Sequence, residues 1–158
     1  MAKAAGAAEV SAQVSVRPMR LADVPAVHTI ETASFATPWT IDIFEREIME
    51  NTFANYFVIE SDGVIAGYCG MWLVIDEAQI TNIAILPNFR GQKLGEKLFA
   101  HVMEQAILAG AYRLSLEVRV SNIPAQHLYR KFGLVPGGIR KNYYTDNQED
   151  AIVMWVNL

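Results

Sequence analysis

The chain has 158 residues, 52% of them hydrophobic and 19% charged, with 17 acidic against 13 basic side chains and a formal charge of −4. A chain of that length and apolar content buries a real core, which excludes disorder, and its acidic balance argues against a general nucleic-acid binder. No apolar run approaches the ~20 residues that cross a bilayer, and the single cysteine, Cys69, excludes an internal disulfide and fits a reducing compartment.

Residues 1–13 are alanine-rich and lack the apolar core of a secretory signal, so they read as a flexible tail on a cytoplasmic protein, with one domain over 14–158. Val14 to Pro18 reads as a first strand. Leu21 to Phe35 has helical spacing through Val24, Val27 and Ile30, with Asp23 as N-cap and Pro25 in the first turn. Thr37-Pro38-Trp39 breaks that helix. A second follows over Thr40 to Glu50, with Asp42, Glu45, Glu47 and Glu50 on its expected exposed face.

Ala54 to Glu60 and Val64 to Trp72 read as strands joined by the turn Ser61-Asp62-Gly63, and Glu77 to Leu86 as the next strand. Pro87 and Asn88 stop it. From Leu94 the apolar spacing becomes helical, as far as Ala109, with Gly110 where a C-terminal glycine is expected. Tyr112 to Arg119 alternates, with Leu114, Leu116 and Val118 on one face. Ser121 and Asn122 cap a short helix ending at Phe132-Gly133. Residues 134–143 and 149–157 form a closing hairpin connected by Tyr144 to Gln148. Strand, two helices, three strands, helix, strand, helix, two strands gives α/β layers: a mixed sheet with helices on both faces.

The stretch from Thr81 to Phe99 is strand, basic glycine-bearing loop, helix. The first turn of a helix has N–H groups without intrahelical partners and the positive end of the dipole, which together favour phosphate. Arg90, Lys93 and Lys97 add charge, yet the loop matches neither the Walker nor the dinucleotide pattern. On spacing alone, an ordinary strand-to-helix connection accounts for it almost as well.

Other residues leave alternatives open. Glu117, near the end of a strand, is a carboxylate whose burial raises its pKa, or one paired with Arg113 or Arg119, or one simply exposed beyond the sheet edge, and spacing alone favours the last two. Tyr129 is an acid or a core aromatic. Cys69, among small residues, reads as an inert buried thiol. His28, His101 and His127 lack metal-ligand spacing, so no metal is expected.

Taken together and in order, four segments resemble the GNAT superfamily of acetyl-CoA-dependent N-acetyltransferases. They are Asn82 to Gly95, Leu116-Glu-Val-Arg-Val-Ser-Asn122, Ala125 to Gly133 and Arg140-Lys-Asn-Tyr-Tyr144. Within it they resemble the RimI family, which acetylates the N-terminal alanine of a small-subunit ribosomal protein. Trp39 after Pro38 is similar to that family's start of the second helix.

The resemblance implies a seven-stranded, mostly antiparallel sheet flanked by about four helices. It implies that acetyl-CoA pairs along Ile83, Ala84 and Ile85, on a strand splayed from its neighbour by a bulge. The pyrophosphate then rests on the loop Arg90, Gly91, Gln92, Lys93, Leu94 and Gly95 with Glu96, and Asn122 contacts the cofactor. The family pattern has glycine where this chain has Lys93, and lysine is expected to keep an ordinary φ and add a charge contact. Glu117 is implied as the base and Tyr129 as the acid that protonates the leaving thiolate.

The acceptor, a protein N-terminus, is expected between Trp39 and Tyr143-Tyr144, which on residue type alone are equally strand aromatics. Asp76 and Glu77 are expected to favour its positive charge. Neither nucleic acid nor membrane is an expected partner. The alternatives are acetylation of a lysine side chain or small amine, and a non-catalytic acyl-CoA-binding regulator.

Overall fold

The computed structural model describes residues 12–158, and in it the alternating and β-branched runs form strands while the segments of helical spacing form helices. In chain order these are β1 (Val14–Pro18), α1 (Val24–Ser34), α2 (Ile41–Met49), β2 (Ala54–Ser61), β3 (Val64–Val74), β4 (Glu77–Ile85), α3 (Leu94–Leu108), β5 (Arg113–Arg119), α4 (Ile123–Lys131), β6 (Val135–Arg140) and β7 (Ala151–Asn157). The seven strands form one sheet in the order β1-β2-β3-β4-β5-β7-β6, and among the described residues only the β4–β5 pair is parallel. Most of the expected tail lies outside the described residues. Gln13 is tied to Asp62 by two hydrogen bonds of 2.8 Å. No helix among the described residues is long and apolar enough to cross a membrane.

Helices cover both faces because each sheet face carries its own apolar set. On one side Val24, Val27 and Ile30 of α1 and Phe44 of α2 pack on Tyr56, Val58 and Tyr68. On the other, Leu98, Phe99 and Val102 of α3 and Tyr129 of α4 pack on Ile59, Met71, Leu114 and Leu116. Strand alternation sends neighbouring side chains to opposite faces, so β5 buries Leu114, Leu116 and Val118 and turns Glu117 and Arg119 the other way.

Three local expectations change. Asp23 stands at the N-cap position of α1 but makes no cap bond to that helix. Its carboxylate accepts from Arg17 Nη1 at 2.7 Å and from the Arg20 N–H at 2.7 Å, because a guanidinium fork offers more than one helix amide. Glu47 is not on an exposed face: it accepts from the Tyr56 hydroxyl and from Trp72 Nε1, each at 2.8 Å. The β6–β7 connection runs from Lys141 to Asp150, which places Tyr143 in the loop instead of on a strand.

Candidate active site

β4 and β5 run side by side only from Glu77–Arg113 to Gln79–Ser115 and then part. The parting starts beside a bulge. Gly70 of β3 faces Asn82 while Met71 faces Ile80, so Thr81 is one residue too many on β4, and an extra residue bends its strand. Gly70 permits this, since a Cβ there would stand 2.5 Å from the Thr81 hydroxyl oxygen and from the Tyr56 ring.

Past the bulge, the Leu86 N–H donates to the Ala66 carbonyl at 2.8 Å. Backbone direction alternates along a strand, so the polar groups of Ala84 and Leu86 face β3 while those of Ile83 and Ile85 face the opening. The expectation of three consecutive residues offering their backbone therefore narrows to two. Ala84 is paired with Tyr68 across the ladder.

A cleft of about 670 Å³ occupies the opening, and every residue expected to hold the cofactor lines it except Gln92. Helix α3 begins at Leu94 with no side-chain cap, so the N–H groups of its first turn and the positive end of its dipole are free for an anion. Arg90 crosses the rim, with Nε donating to the Ile85 carbonyl at 3.0 Å and Nη2 to Ser34 Oγ at 3.5 Å.

Lys93 overturns the expectation of an ordinary φ: at φ 62° and ψ 21° it is left-handed. The turn into α3 requires that conformation at the N-cap, and lysine adopts it at a cost of roughly 1–2 kcal/mol. Asn122 caps α4, its Oδ1 accepting from the Ala125 N–H at 3.2 Å. Capping uses the oxygen and leaves the amide N–H groups for a ligand.

A second cleft, about 350 Å³, joins the first at Ser34, Phe35, Ile83, Asn122 and Tyr129, and is lined by Trp39, Glu117, Tyr143 and Tyr144. The three aromatics expected around an acceptor are thus brought together. Trp39 precedes the Thr40 cap of α2 and packs on Phe44 at 5.5 Å. Tyr143 and Tyr144 meet edge to face at 5.1 Å. Burial and then Arg119 act in opposite senses on the Tyr144 phenol, and the net is a pKa pushed up to about 12.

Asp76 and Glu77 are not in this cleft. They sit at the β3–β4 turn, on the order of 20 Å along β4 from Ile83. The carboxylates that do line it are Glu31 and Glu117.

Glu31 escaped the sequence reading. It is only 3% exposed, its Oε2 accepts the Trp39 N–H at 2.9 Å, and its Oε1 accepts the Tyr68 hydroxyl. Asn82 Nδ2 donates to that same hydroxyl at 2.8 Å. Burial, with Glu31 adding to it, pushes the Tyr68 pKa well up. The signal was available: Glu31 lies seven residues after Val24 and four after Val27, on the inward stripe of α1.

Glu117 pairs with neither Arg113 nor Arg119. Arg140 Nε, from β6, donates to its Oε2 at 3.0 Å, and Gln79 Nε2 reaches Oε1 at 3.5 Å. The carboxylate is therefore accompanied instead of isolated in the sheet. Tyr129 is buried against Phe99 at 5.3 Å and lines both clefts, so it is a core aromatic and a site residue at once. Burial pushes its pKa upward. Cys69 is fully buried and burial raises its thiol pKa, which suits an inert side chain. His127 lines the larger cleft, whereas His101 packs on Phe57 at 5.4 Å. Among the described residues no group of three or more His, Cys, Asp or Glu could hold a metal.

A parallel pair that splits beside a bulge and opens onto an uncapped helix N-terminus makes a cleft for an extended, anionic ligand, and the family that this arrangement accompanies here is one of acetyltransferases. The sequence pattern of the acetyltransferase (GNAT) family matches residues 24–134, and the chain belongs to that family. It is 61% identical over 92% of its length, and 97% of the relative's, to a Bacillus subtilis protein provisionally named a ribosomal protein bS18-alanine N-acetyltransferase. It is 35% identical over 89% of its length, and 95% of the relative's, to the Escherichia coli ribosomal protein bS18-alanine N-acetyltransferase. The crystal structure of the ribosomal-protein-S18-alanine N-acetyltransferase from Escherichia coli superposes with a TM-score of 0.85 at 33% identity, covering 92% of this chain and 94% of that one.

Proposed function

We propose that this protein transfers an acetyl group from acetyl-CoA to the α-amino group of a protein N-terminus, the N-terminal alanine of a small-subunit ribosomal protein, in the cytoplasm. One observation carries the reading: the two clefts meet at Ile83, Asn122 and Tyr129, with Glu117 in the smaller one. The names of the relatives give the acceptor.

The larger cleft fits the donor. The backbone groups of Ile83 and Ile85 are free for an amide-bearing arm once Arg90 releases the Ile85 carbonyl. The first-turn N–H groups of α3, with Arg90 and Lys93 beside them, suit a diphosphate, and Asn122 adds its amide at the junction. Acetyl-CoA supplies a thioester there, already activated toward a neutral amine.

An α-amino group titrates near ~7.7–8.0, so a modest base suffices at neutral pH. A lysine side chain near ~10.4 demands far more from the same base. Glu117 accepts the amine's proton, directly or through water. The amine nitrogen bonds to the acetyl carbon as the carbon–sulfur bond breaks, and the departing sulfur receives a proton from Tyr129. Burial raises the Tyr129 pKa, so the phenol stays protonated at neutral pH and still holds the proton it donates. Trp39, Tyr143 and Tyr144 grip the peptide around its first residue.

The test is thiol release from acetyl-CoA with peptides beginning Ala, Ser or Met, against free lysine and spermidine. Preference for the alanine peptide is expected. Faster turnover with lysine or spermidine overturns the acceptor, and binding of acetyl-CoA with no thiol release on any acceptor makes the protein a regulator.

A further inference from the structure

We propose that Arg119 is a positioning residue for the acceptor: it clamps the β6–β7 loop to the end of β5, holding Tyr143 and Tyr144 over the smaller cleft, and so sets peptide affinity. The inference rests on the acetyl-transfer reading above and concerns the same cleft, whose wall includes Arg119 itself.

The loop from Lys141 to Asp150 is mostly exposed and packs little apolar surface. Two of its non-glycine residues, Asn142 at φ 53° and Gln148 at φ 62°, are left-handed. A loop with that backbone does not keep its shape unaided; surrounding contacts must impose it. One guanidinium supplies most of them. Arg119 Nη1 donates to Glu149 Oε1 at 2.9 Å and to Asn147 Oδ1 at 3.2 Å, and Nη2 donates to Asp146 Oδ1 at 2.9 Å. Its Cζ lies 4.0 Å from the centre of the Tyr144 ring, within range of a cation–π contact.

Glu149 extends the clamp to the next element, its Oε2 accepting the Ser121 N–H at 2.8 Å. Ser121 and Arg119 hold the Glu149 carboxyl well down, at about 2, so the pair stays ionised across the working range of an enzyme. Within the loop, the Tyr144 N–H donates to the Glu149 carbonyl at 3.1 Å, so fixing Glu149 fixes Tyr144. A single exposed ion pair is worth little, but a planar fork that engages three side chains and stacks on a ring specifies one geometry. Both Nη atoms of Arg119 are engaged by the loop, and none of its side-chain donors bonds to Glu117 or Tyr129. It acts through the tyrosines.

The experiment compares Arg119→Met and Arg119→Lys with the unaltered protein by steady-state kinetics on an Ala-initiated peptide, alongside hydrogen exchange of the loop amides. For Arg119→Met the peptide KM rises about tenfold, the worth of one charge-assisted bond, while kcat and the acetyl-CoA KM stay within about twofold. Arg119→Lys recovers part of the loss, and the Tyr144 and Gln148 amides exchange faster in step with KM. An unchanged peptide KM overturns the proposal, as does a loss confined to kcat, which would place Arg119 in the chemical step. If Arg119→Met does not fold, Glu149→Gln breaks the clamp from the loop's end and reads the same split. Failure of the unaltered protein to acetylate any peptide refutes the underlying reading instead, and is seen before any variant is made.

Discussion

Arg140 of β6 donates Nε–H to Glu117 of β5 at 3.0 Å, reaching across the intervening strand β7. The Glu117 side chain is 12% exposed and that of Arg140 57%, so the pair has a buried end and a solvent end. A base in this setting has a fixed orientation and one oxygen, Oε1, only loosely engaged by Gln79. Glu117→Gln keeps the shape and removes the proton acceptor, and kcat should fall by roughly 10²–10⁴. Arg140→Gln, which leaves the carboxylate in place, should cost far less. Thiol release at saturating acetyl-CoA measures both, and a Glu117→Gln rate within twofold of the unaltered protein ends the assignment.

Tyr129 and Cys69 separate chemistry from packing. Tyr129→Phe retains the ring contact with Phe99 and deletes only the hydroxyl, so the rate should drop on the order of 10²-fold at little cost in stability. Cys69→Ala empties a small buried volume and should lower stability by about 1 kcal/mol, some 2–4 °C in Tm for a chain of this size, without altering kcat. A slow Cys69→Ala enzyme with native Tm would bring the thiol back into the mechanism.

Lys93 offers a clean reading of backbone strain. Alanine there keeps the left-handed φ of 62° with a Cβ, whereas glycine adopts it freely. Lys93→Gly should therefore be more stable than Lys93→Ala by about 1 kcal/mol in denaturant unfolding. Both remove the charge beside the loop, so both should weaken acetyl-CoA binding to the same extent. Equal stability of the two variants would mean that the loop does not hold this φ in solution.

Acid stability should report on Asp23. Arg17, and behind it the Arg20 N–H, hold its carboxyl below the usual carboxylate range in the folded protein. A depressed folded pKa contributes stability that is complete above the unfolded value of about 3.9 and is lost as pH falls through the folded value below it. Between about pH 4 and 2 the unaltered protein should thus lose stability more steeply than Asp23→Asn, while above about pH 5 the gap between them should be constant. Parallel acid limbs for the two proteins would show that Asp23 is unpaired in solution.

Where strand and helix follow from neighbouring residues, the chain could be read directly. The alternation of Leu114, Leu116 and Val118, the turn at Asp62-Gly63, the Asn122 cap and the stop at Pro87 each depend on a few consecutive residues, and each appears where expected. The site residues could be read less well. Their types and order pointed to Glu117, Tyr129, Trp39 and the tyrosine pair through family likeness, but their partners belong to other strands. Arg140 reaches Glu117 only because β7 lies between their strands, and Asp146 and Glu149 reach Arg119 only because a ten-residue loop folds back.

The sequence by itself determined the element order, the two apolar faces and the loop that begins α3, since these rest on periodicity, capping and chain stiffness over short distances. Tertiary structure alone decided that Thr81 bulges opposite Gly70 and that Ile83 and Ile85, not Ala84, open their backbone to the cleft. It also decided what Glu31 meets in the interior, the Trp39 N–H and the Tyr68 hydroxyl. The reason is common to all three: each depends on what a remote segment brings within a few ångströms, and pairing register and buried partners are properties of the assembled sheet, not of any local run of residues.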